Sequence, residues 1–365
     1  MDALKEATDK LFSWWWLTPW KAPDTEPAKT KPRVRRKTEG IQLGLALQGG
    51  GSHGAYTWGV LDRLLEEPRI DISAISGASA GAMNAVVCAQ GLALGGRKRA
   101  QQALAEFWTA VSEAARSVSM PWDSLTGLGE GEVSPSMRSL LALTRVFSPY
   151  ELNPLNINPL RQVVEEHIDF DALRKPACPR LFISATRVRT GSLRVFRNDE
   201  INADALLASA CLPTLHHAVE IDGEPYWDGG YSGNPVVYPL VDEGHCSDIM
   251  VLLLSPLERD TPVRSAKEII SRASEISFNA GFLREMQWLA RDERDGRLPQ
   301  THFHLLEPDP VIEELSQVSK LNAEREFLEK LHEHGHAAAD AWLGQHRKDL
   351  GTRSSVSLAT VFGTA

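Results

Sequence analysis

The chain has 365 residues, 42% of which are hydrophobic, and its 48 acidic and 39 basic side chains give a formal net charge of -9. This length and composition suffice to bury a substantial core, and we expect one main domain. The acidic balance disfavours nucleic-acid binding, which needs a broad basic surface, and no apolar stretch is long enough to span a bilayer.

The four cysteines are far apart in the sequence, at Cys88, Cys178, Cys211 and Cys246. Zinc sites and redox motifs need closely spaced pairs, so we predict no metal site and reduced cysteines in a cytoplasmic protein. The apolar run from Leu11 to Trp20 has no small-residue cleavage site after it, and we therefore expect no signal peptide.

Residues 1–40 differ in composition from the rest of the chain. They hold a short amphipathic helical pattern with four tryptophans, followed by a linker rich in Pro, Lys and Arg. Tryptophan favours the membrane–water boundary, and clustered basic residues are attracted to anionic lipid. One hypothesis is peripheral contact of residues 1–38 with the inner membrane surface. The other is a tail whose tryptophans dock on the protein itself.

From residue 41 the pattern alternates between strands and helices, which favours an α/β fold with a mainly parallel sheet covered on both faces. We predict a strand over 41–47, a helix over about 55–65, a strand over 70–75 and a small-residue helix after Gly81. Residues 118–157 form an irregular excursion in this interpretation, either a lid or an ordinary surface loop. Next, Asn158 and Pro159 predict the N-cap and first turn of a helix that ends near His167.

The second half of the chain continues the same alternation. We predict strands over 180–188, 193–196, 218–221 and 248–254, and helices over about 263–292 and 323–342. The main domain is therefore expected to span 41–345. Residues 346–365 are expected to form a C-terminal tail whose last dozen residues are loose.

The first motif is a glycine loop between the first strand and its helix, with Gly49, Gly50, Gly51 and Gly54 in Gly-Gly-Gly-Ser-His-Gly. Its backbone N–H groups lie at the positive end of a helix dipole, which suits an anion. Glycine permits close approach and positive φ. The competing interpretation is a dinucleotide-binding loop with Asp71 on the ribose.

The second motif is Gly77-Ala-Ser79-Ala-Gly81, between the second strand and a helix of small residues. This context is typical of a nucleophile elbow, in which a sharp turn presents the serine hydroxyl above the sheet. Serine is a weak nucleophile at neutral pH and needs a neighbouring base.

The third motif, Asp228-Gly229-Gly230, offers such a base after an aromatic strand end. The two glycines allow the chain to turn sharply and present the carboxylate at a cleft. An Asp-Gly pair also occurs in many ordinary turns, and this simpler interpretation stays open.

Together, the order and spacing of the three motifs resemble those of the patatin-like phospholipases, from residue 41 to about 342. The resemblance implies a three-layer α/β/α sandwich without metal or cofactor. It implies that Ser79 is the nucleophile, that Asp228 is the base, and that Gly49, Gly50 and Gly51 form the oxyanion hole. Members of the family hydrolyse phospholipids, lysophospholipids, triacylglycerols or small esters, so the expected partner is a lipid or ester substrate. The oligomeric state is not indicated.

This chain departs from the family at His53, where many members carry Arg or Lys. A histidine there is expected to make the charge beside the oxyanion hole depend on pH, which puts contact with a phosphate headgroup in doubt.

Two alternatives stay open for the function. An α/β-hydrolase would need a histidine after the acid, and His245, His302 and His304 are candidates. The second alternative is a lipid-binding protein that has lost catalytic activity. Five other histidines, His216, His217, His332, His334 and His336, are interpreted as structural or surface residues, although His332 and His336 alone are spaced to share a metal.

Overall fold

The structure is a computed structural model that describes residues 40–118, 133–259, 262–298 and 300–363. The Trp-rich segment and most of the basic linker, residues 1–39, lie outside the described residues. The described chain builds a central sheet of eight strands: β1 (Ile41–Leu47), β2 (Ile70–Gly77), β3 (Arg180–Arg187), β4 (Leu193–Arg197), β5 (Val219–Ile221), β6 (Glu224–Asp228), β7 (Asp248–Leu252) and β8 (His302–Leu306).

The sheet order is β5-β6-β3-β2-β1-β7-β8, and β4 pairs with β3 outside this path. Strands β3, β2, β1, β7 and β8 run parallel to one another, whereas β4 and β6 are antiparallel to β3, and β5 is antiparallel to β6. The predicted mainly parallel sheet is therefore confirmed. Because the carboxyl ends of parallel strands meet at one edge, the loops after β1 and β2 lie side by side.

The helices that matter here have the following bounds: α1 (Gly54–Glu66), α2 (Ala80–Gly95), α3 (Arg97–Val118), α4 (Pro135–Leu143), α5 (Pro149–Leu152), α6 (Pro159–His167), α7 (Ala203–Ser209), α8 (Tyr238–Asp242), α9 (Ala266–Arg294), α10 (Pro310–Glu314), α11 (Arg325–His346) and α12 (Leu358–Val361). Among the described residues, no helix combines the length and the apolar character needed to cross a membrane.

The alternation of side chains along β1 explains why there is an apolar core on each face of the sheet. Leu43, Leu45 and Leu47 belong to a core shared with α1, α2, α3 and α11, whereas Ala46 belongs to a second core shared with α8, α9 and α12. Side chains of a strand point to opposite faces in turn, so the sheet has an apolar layer on each side. The three-layer α/β/α sandwich is confirmed.

The bounds of several elements were predicted correctly from the sequence. The first strand has the predicted bounds, and Asn158 caps α6 by accepting a hydrogen bond from the Leu160 amide. The excursion predicted over 118–157 is less irregular than expected, since 135–143 and 149–152 are helical; residues 119–132 lie outside the described residues. Helix α3 and strand β8 were not predicted.

The expectation of a loose C-terminus is wrong for the residues that the structure describes. Leu350, Leu358 and Phe362 are buried, and the Phe362 ring packs edge-to-face on Phe282 of α9. The segment stays in place because Leu350 belongs to the first core, whereas Leu358 and Phe362 belong to the second core together with side chains of α9.

Candidate active site

Ser79 is the second residue of the two-residue turn, Ala78–Ser79, between β2 and α2. Its backbone has φ 53° and ψ -125°, a left-handed conformation that is strained for any residue with a side chain. The Ser79 amide is held by Ser209 at the end of α7, donating to the backbone oxygen at 3.1 Å and to Oγ at 3.0 Å. This strand–turn–helix geometry is that of a nucleophile elbow, and it leaves the serine side chain partly exposed.

Close backbone packing requires the glycines around the elbow. A Cβ on Gly81 would overlap the Leu47 carbonyl, and one on Gly77 would overlap the backbone of Gly81. Gly54, at the start of α1, packs as closely on α2, because a Cβ on Gly54 would stand 2.7 Å from the Ala80 Cβ. These glycines therefore bring β1, β2 and α2 together beneath Ser79.

Asp228 ends strand β6 and is fully buried. Its amide donates to the Cys211 carbonyl at 2.8 Å, and its Oδ1 accepts a hydrogen bond from the Gly230 amide at 2.7 Å. Among the described residues, Oδ2 has no hydrogen-bond partner. The next two glycines have no room for side chains, because Gly229 packs on the Ser184 carbonyl and Gly230 on the Phe278 ring.

Burial raises the pKa of Asp228 to about 7, because the charged form loses its hydration. The Gly230 amide and the Ser79 hydroxyl act in the opposite direction and lower this pKa. The structure thus brings the Ser79 hydroxyl beside the Asp228 carboxyl. A carboxylate with a pKa near neutrality is poised to exchange a proton at physiological pH.

The glycine loop lies beside this pair. Gly49 packs against Ser79 so closely that a Cβ would stand 2.7 Å from the Ser79 Cβ. The Gly49 amide, however, donates to Asn234 Oδ1 at 2.6 Å and is not free to bind an oxyanion in this conformation. The amides of Gly50, Gly51 and Ala80 donate to no other group in the part of the chain that the structure describes. Two of the three loop glycines therefore have an amide without an acceptor in the described chain, as does Ala80 at the start of α2.

The Gln48 side chain holds the glycine loop in place. Its Oε1 accepts from the amides of Leu254 at 2.6 Å and Ser255 at 3.0 Å, and its Nε2 donates to Asn279 Oδ1 at 3.0 Å. The side chain is buried. It therefore connects the end of β1, the end of β7 and helix α9 at one point, which holds the loop in register with the sheet.

The expectation that His53 carries a pH-dependent charge is wrong. The ring is buried, and burial together with the charge on Lys320 lowers its pKa to about 3, so it is neutral at physiological pH. His53 Nε2 lies 2.8 Å from Ser319 Oγ. The cation nearest the loop is instead Lys320, whose backbone packs on Gly51 and whose pKa is lowered to about 8, chiefly by burial.

The alternative sites lie at the other end of the sheet. Asp71 pairs with Gln42 at the start of β1, about 16 Å of strand away from the glycine loop, which is too far for the ribose contact of a dinucleotide. His302 opens β8 opposite Asp248, and His245 precedes β7. Both histidines are therefore at the amino edge, away from Ser79.

His304 belongs to a serine–histidine–aspartate arrangement, but its serine is Ser355 and not Ser79. Its Nε2 lies 2.9 Å from Asp248 Oδ1, and its Nδ1 lies 3.0 Å from Ser355 Oγ. His304 and Asp248 are fully buried, which leaves no space for a substrate. The arrangement attaches the C-terminal segment to the sheet, and the triad with Ser79 is not formed.

Two histidines of α11, His332 and His336, contact acidic residues of α1, and His334 Nδ1 lies 3.0 Å from Asp309 Oδ2, just before α10. His332 Nε2 lies 2.8 Å from Asp62 Oδ2, and His336 Nε2 lies 3.4 Å from Glu66 Oε1. His217 stacks on Tyr150, and burial lowers the pKa of His216. These contacts agree with the structural interpretation of the histidines.

Sequence reasoning did not find three residues of the site, namely Asn234, Gln48 and Ser209. Asn234 precedes a proline in a Gly-Asn-Pro turn, a signal for a turn but not for a loop anchor. Gln48 and Ser209 have no local signal at all, because their partners are distant in the sequence.

The sequence matches the family model of the patatin-like phospholipases over residues 45–241, more than half of the chain and including both Ser79 and Asp228. The chain belongs to this family. Membership of the patatin-like phospholipases supports a lipid hydrolase function. No curated protein sequence matches significantly.

Two solved structures show weak similarity to this family member. VipD from Legionella pneumophila is 15% identical, with 81% of this chain and 67% of that chain covered and a TM-score of 0.34. The type III effector protein ExoU is 16% identical, with 88% of this chain and 61% of that chain covered and a TM-score of 0.28.

Proposed function

We propose that the protein is a serine carboxylic-ester hydrolase that removes acyl chains from lipids through a Ser79–Asp228 dyad and an acyl-enzyme intermediate. The family supports lipid hydrolysis. The finer assignment has its strongest support in the environment of Asp228, a buried carboxyl whose Oδ2 has no partner in the described chain and which lies beside a serine on a strained turn.

In the first half of the reaction, Asp228 Oδ2 accepts the proton of the Ser79 hydroxyl while Oγ attacks the ester carbonyl carbon. The carbonyl electron pair moves to its oxygen, and the amides of Gly50, Gly51 and Ala80 bind the oxyanion. Each donor of this kind is typically worth roughly 3 to 4 kcal/mol in the transition state. The ester C–O bond then breaks, and the proton on Asp228 passes to the leaving alkoxide.

In the second half, Asp228 removes a proton from water, and the hydroxide attacks the acyl carbon on Ser79. The second tetrahedral intermediate uses the same amides. The bond to Ser79 Oγ breaks, the serine regains its proton from Asp228, and the free fatty acid leaves. No histidine takes part in either half.

Labelling by a fluorophosphonate probe tests the nucleophile. Ser79→Ala is expected to abolish labelling and to lower hydrolysis of a p-nitrophenyl ester at least 10³-fold, since the attacking atom is lost. Ser355→Ala is the matched control, because Ser355 has a histidine and an aspartate in line but no room for substrate. Labelling that survives in Ser79→Ala and disappears in Ser355→Ala would contradict the proposal.

A further inference from the structure

Exposed apolar side chains are concentrated between residues 140 and 157. Helix α4 has no buried residue, and the segment after it adds two aromatic rings and further aliphatic side chains that point to solvent. Seven large hydrophobic side chains within these 18 residues are exposed by 39 to 80%: Leu140, Leu143, Val146, Phe147, Tyr150, Leu155 and Ile157. Single exposed apolar residues are ordinary, but a contiguous group marks an interaction surface.

This 140–157 surface is attached to the wall of the active site. Tyr150 stacks on His217 with ring centroids 4.1 Å apart, and His217 Nε2 lies 3.1 Å from the Pro149 carbonyl. The His217 carbonyl in turn accepts from Cys211 Sγ at 3.0 Å, and the Cys211 carbonyl accepts from the Asp228 amide. Three direct contacts therefore connect the surface to the proposed base.

A cavity of about 360 Å³ lies along the same connection. Tyr150 and Asn156 line it on the side of the 140–157 surface, and Cys211 and His217 line it on the side of Asp228. The cavity thus extends from the 140–157 surface to Cys211, whose carbonyl accepts from the Asp228 amide, although neither Ser79 nor Asp228 lines it.

The charge of the segment also fits a lipid surface. Between residues 133 and 158 the sequence has two arginines, Arg138 and Arg145, and one acid, Glu151, in a chain whose overall charge is -9. Glu151 accepts hydrogen bonds from the amide and hydroxyl of Ser148 and completes a capping box. The segment is therefore close to neutral, and an anionic lipid surface would repel it little.

We propose that the 140–157 surface docks on lipid and places the opening of the active site against the aggregate from which the substrate comes. This inference rests on the proposed function. The partner is a lipid surface rather than a second protein, because the proposed substrate is itself a lipid, the exposed side chains of the segment are apolar, and three contacts connect them to the proposed base.

The test compares single substitutions to glutamate in the full-length protein. Phe147→Glu and Leu155→Glu change the 140–157 surface, and Leu94→Glu is the matched control: Leu94 is 42% exposed and Phe147 44%, and Leu94 lies near the far end of α2, about 22 Å from Ser79. Binding to phosphatidylcholine vesicles is measured by co-sedimentation, and catalysis is measured with a soluble p-nitrophenyl ester.

We expect the apparent dissociation constant for vesicles to rise about five- to tenfold in Phe147→Glu and Leu155→Glu, and to change less than about twofold in Leu94→Glu. Hydrolysis of the soluble ester should stay within about twofold in all three variants. A wild-type protein that does not bind vesicles would overturn docking, as would equal dissociation constants in the three variants. Self-association of the wild type that Phe147→Glu abolishes would show that the surface instead binds a second copy.

Failure of the proposed function has a different signature. A wild type that binds vesicles but does not hydrolyse the ester would refute the hydrolase assignment while leaving the docking surface supported by the binding data.

Discussion

The Gly49 amide donates a 2.6 Å hydrogen bond to Asn234 Oδ1, and this bond connects the glycine loop after β1 to the turn that follows Asp228. Both partners are buried. The bond uses the first amide of the loop and leaves those of Gly50 and Gly51 without an acceptor in the described chain. The position of the proposed oxyanion donors and that of the proposed base are therefore set by the same contact.

Asn234→Ala is expected to lower the kcat for ester hydrolysis by about 10- to 100-fold. The Gly49 amide would lose its buried acceptor, at a cost of about 1 to 3 kcal/mol, and would be free to turn the loop. Ser357→Ala, which removes the N-cap of α12, is the control for a general loss of stability. Similar losses of kcat in both variants, at similar losses of Tm, would contradict a positioning role for Asn234.

Gly51→Ala is expected to reduce activity at least about 100-fold. Gly51 has φ 58°, which costs a side-chain-bearing residue about 1 kcal/mol, and the new Cβ would also overlap the Lys320 carbonyl. Gly191 has φ 67° but open space around it, so Gly191→Ala carries the backbone strain alone. The hydrolysis rate of Gly191→Ala shows the effect of backbone strain alone. A further loss of rate in Gly51→Ala shows the effect of displacing the loop. Equal rates would show that the contact with Lys320 does not matter.

The pH dependence of kcat/KM should report Asp228. Its carboxylate form is the base, and burial raises its pKa to about 7, so kcat/KM should rise with pH below about 7 and become constant above it. His53 has a pKa of about 3 and is already neutral across this range. His53→Gln should therefore keep the inflection near pH 7 even if the rate changes. An inflection near pH 4, or one that disappears in His53→Gln, would exclude this assignment.

His304→Ala is expected to lower Tm and to leave the hydrolysis of a soluble ester within about threefold of wild type. The variant leaves Asp248 without its imidazole partner and removes the contact with Ser355, both far from Ser79. The cost to stability should be about 3 to 5 kcal/mol, since one member of a buried polar group is lost. Loss of activity at a temperature where the variant is still folded would restore the histidine-triad alternative.

Local sequence signals predicted much of the fold. The bounds of β1 follow from its apolar run, and the cap of α6 follows from Asn158 and Pro159, because both depend on neighbouring residues only. Strand β8 was missed because its five residues include two histidines, which drew attention as catalytic candidates rather than as members of a strand.

The glycine and serine motifs predicted where the site lies, but not which groups are available in it. The use of the Gly49 amide depends on Asn234, which is distant in the sequence, and the neutrality of His53 depends on burial beneath Ser319 and Lys320. Neither effect has a local pattern. Both become visible only when the sheet brings the segments together.

Helix α4 contributes almost nothing to the hydrophobic free energy of folding, since none of its residues is buried. Mutations along its outer side can therefore accumulate without threatening the scaffold that holds the serine and the aspartate. If the 140–157 surface docks on lipid as we propose, substitutions on α4 can change the lipid surface that the protein binds without loss of stability.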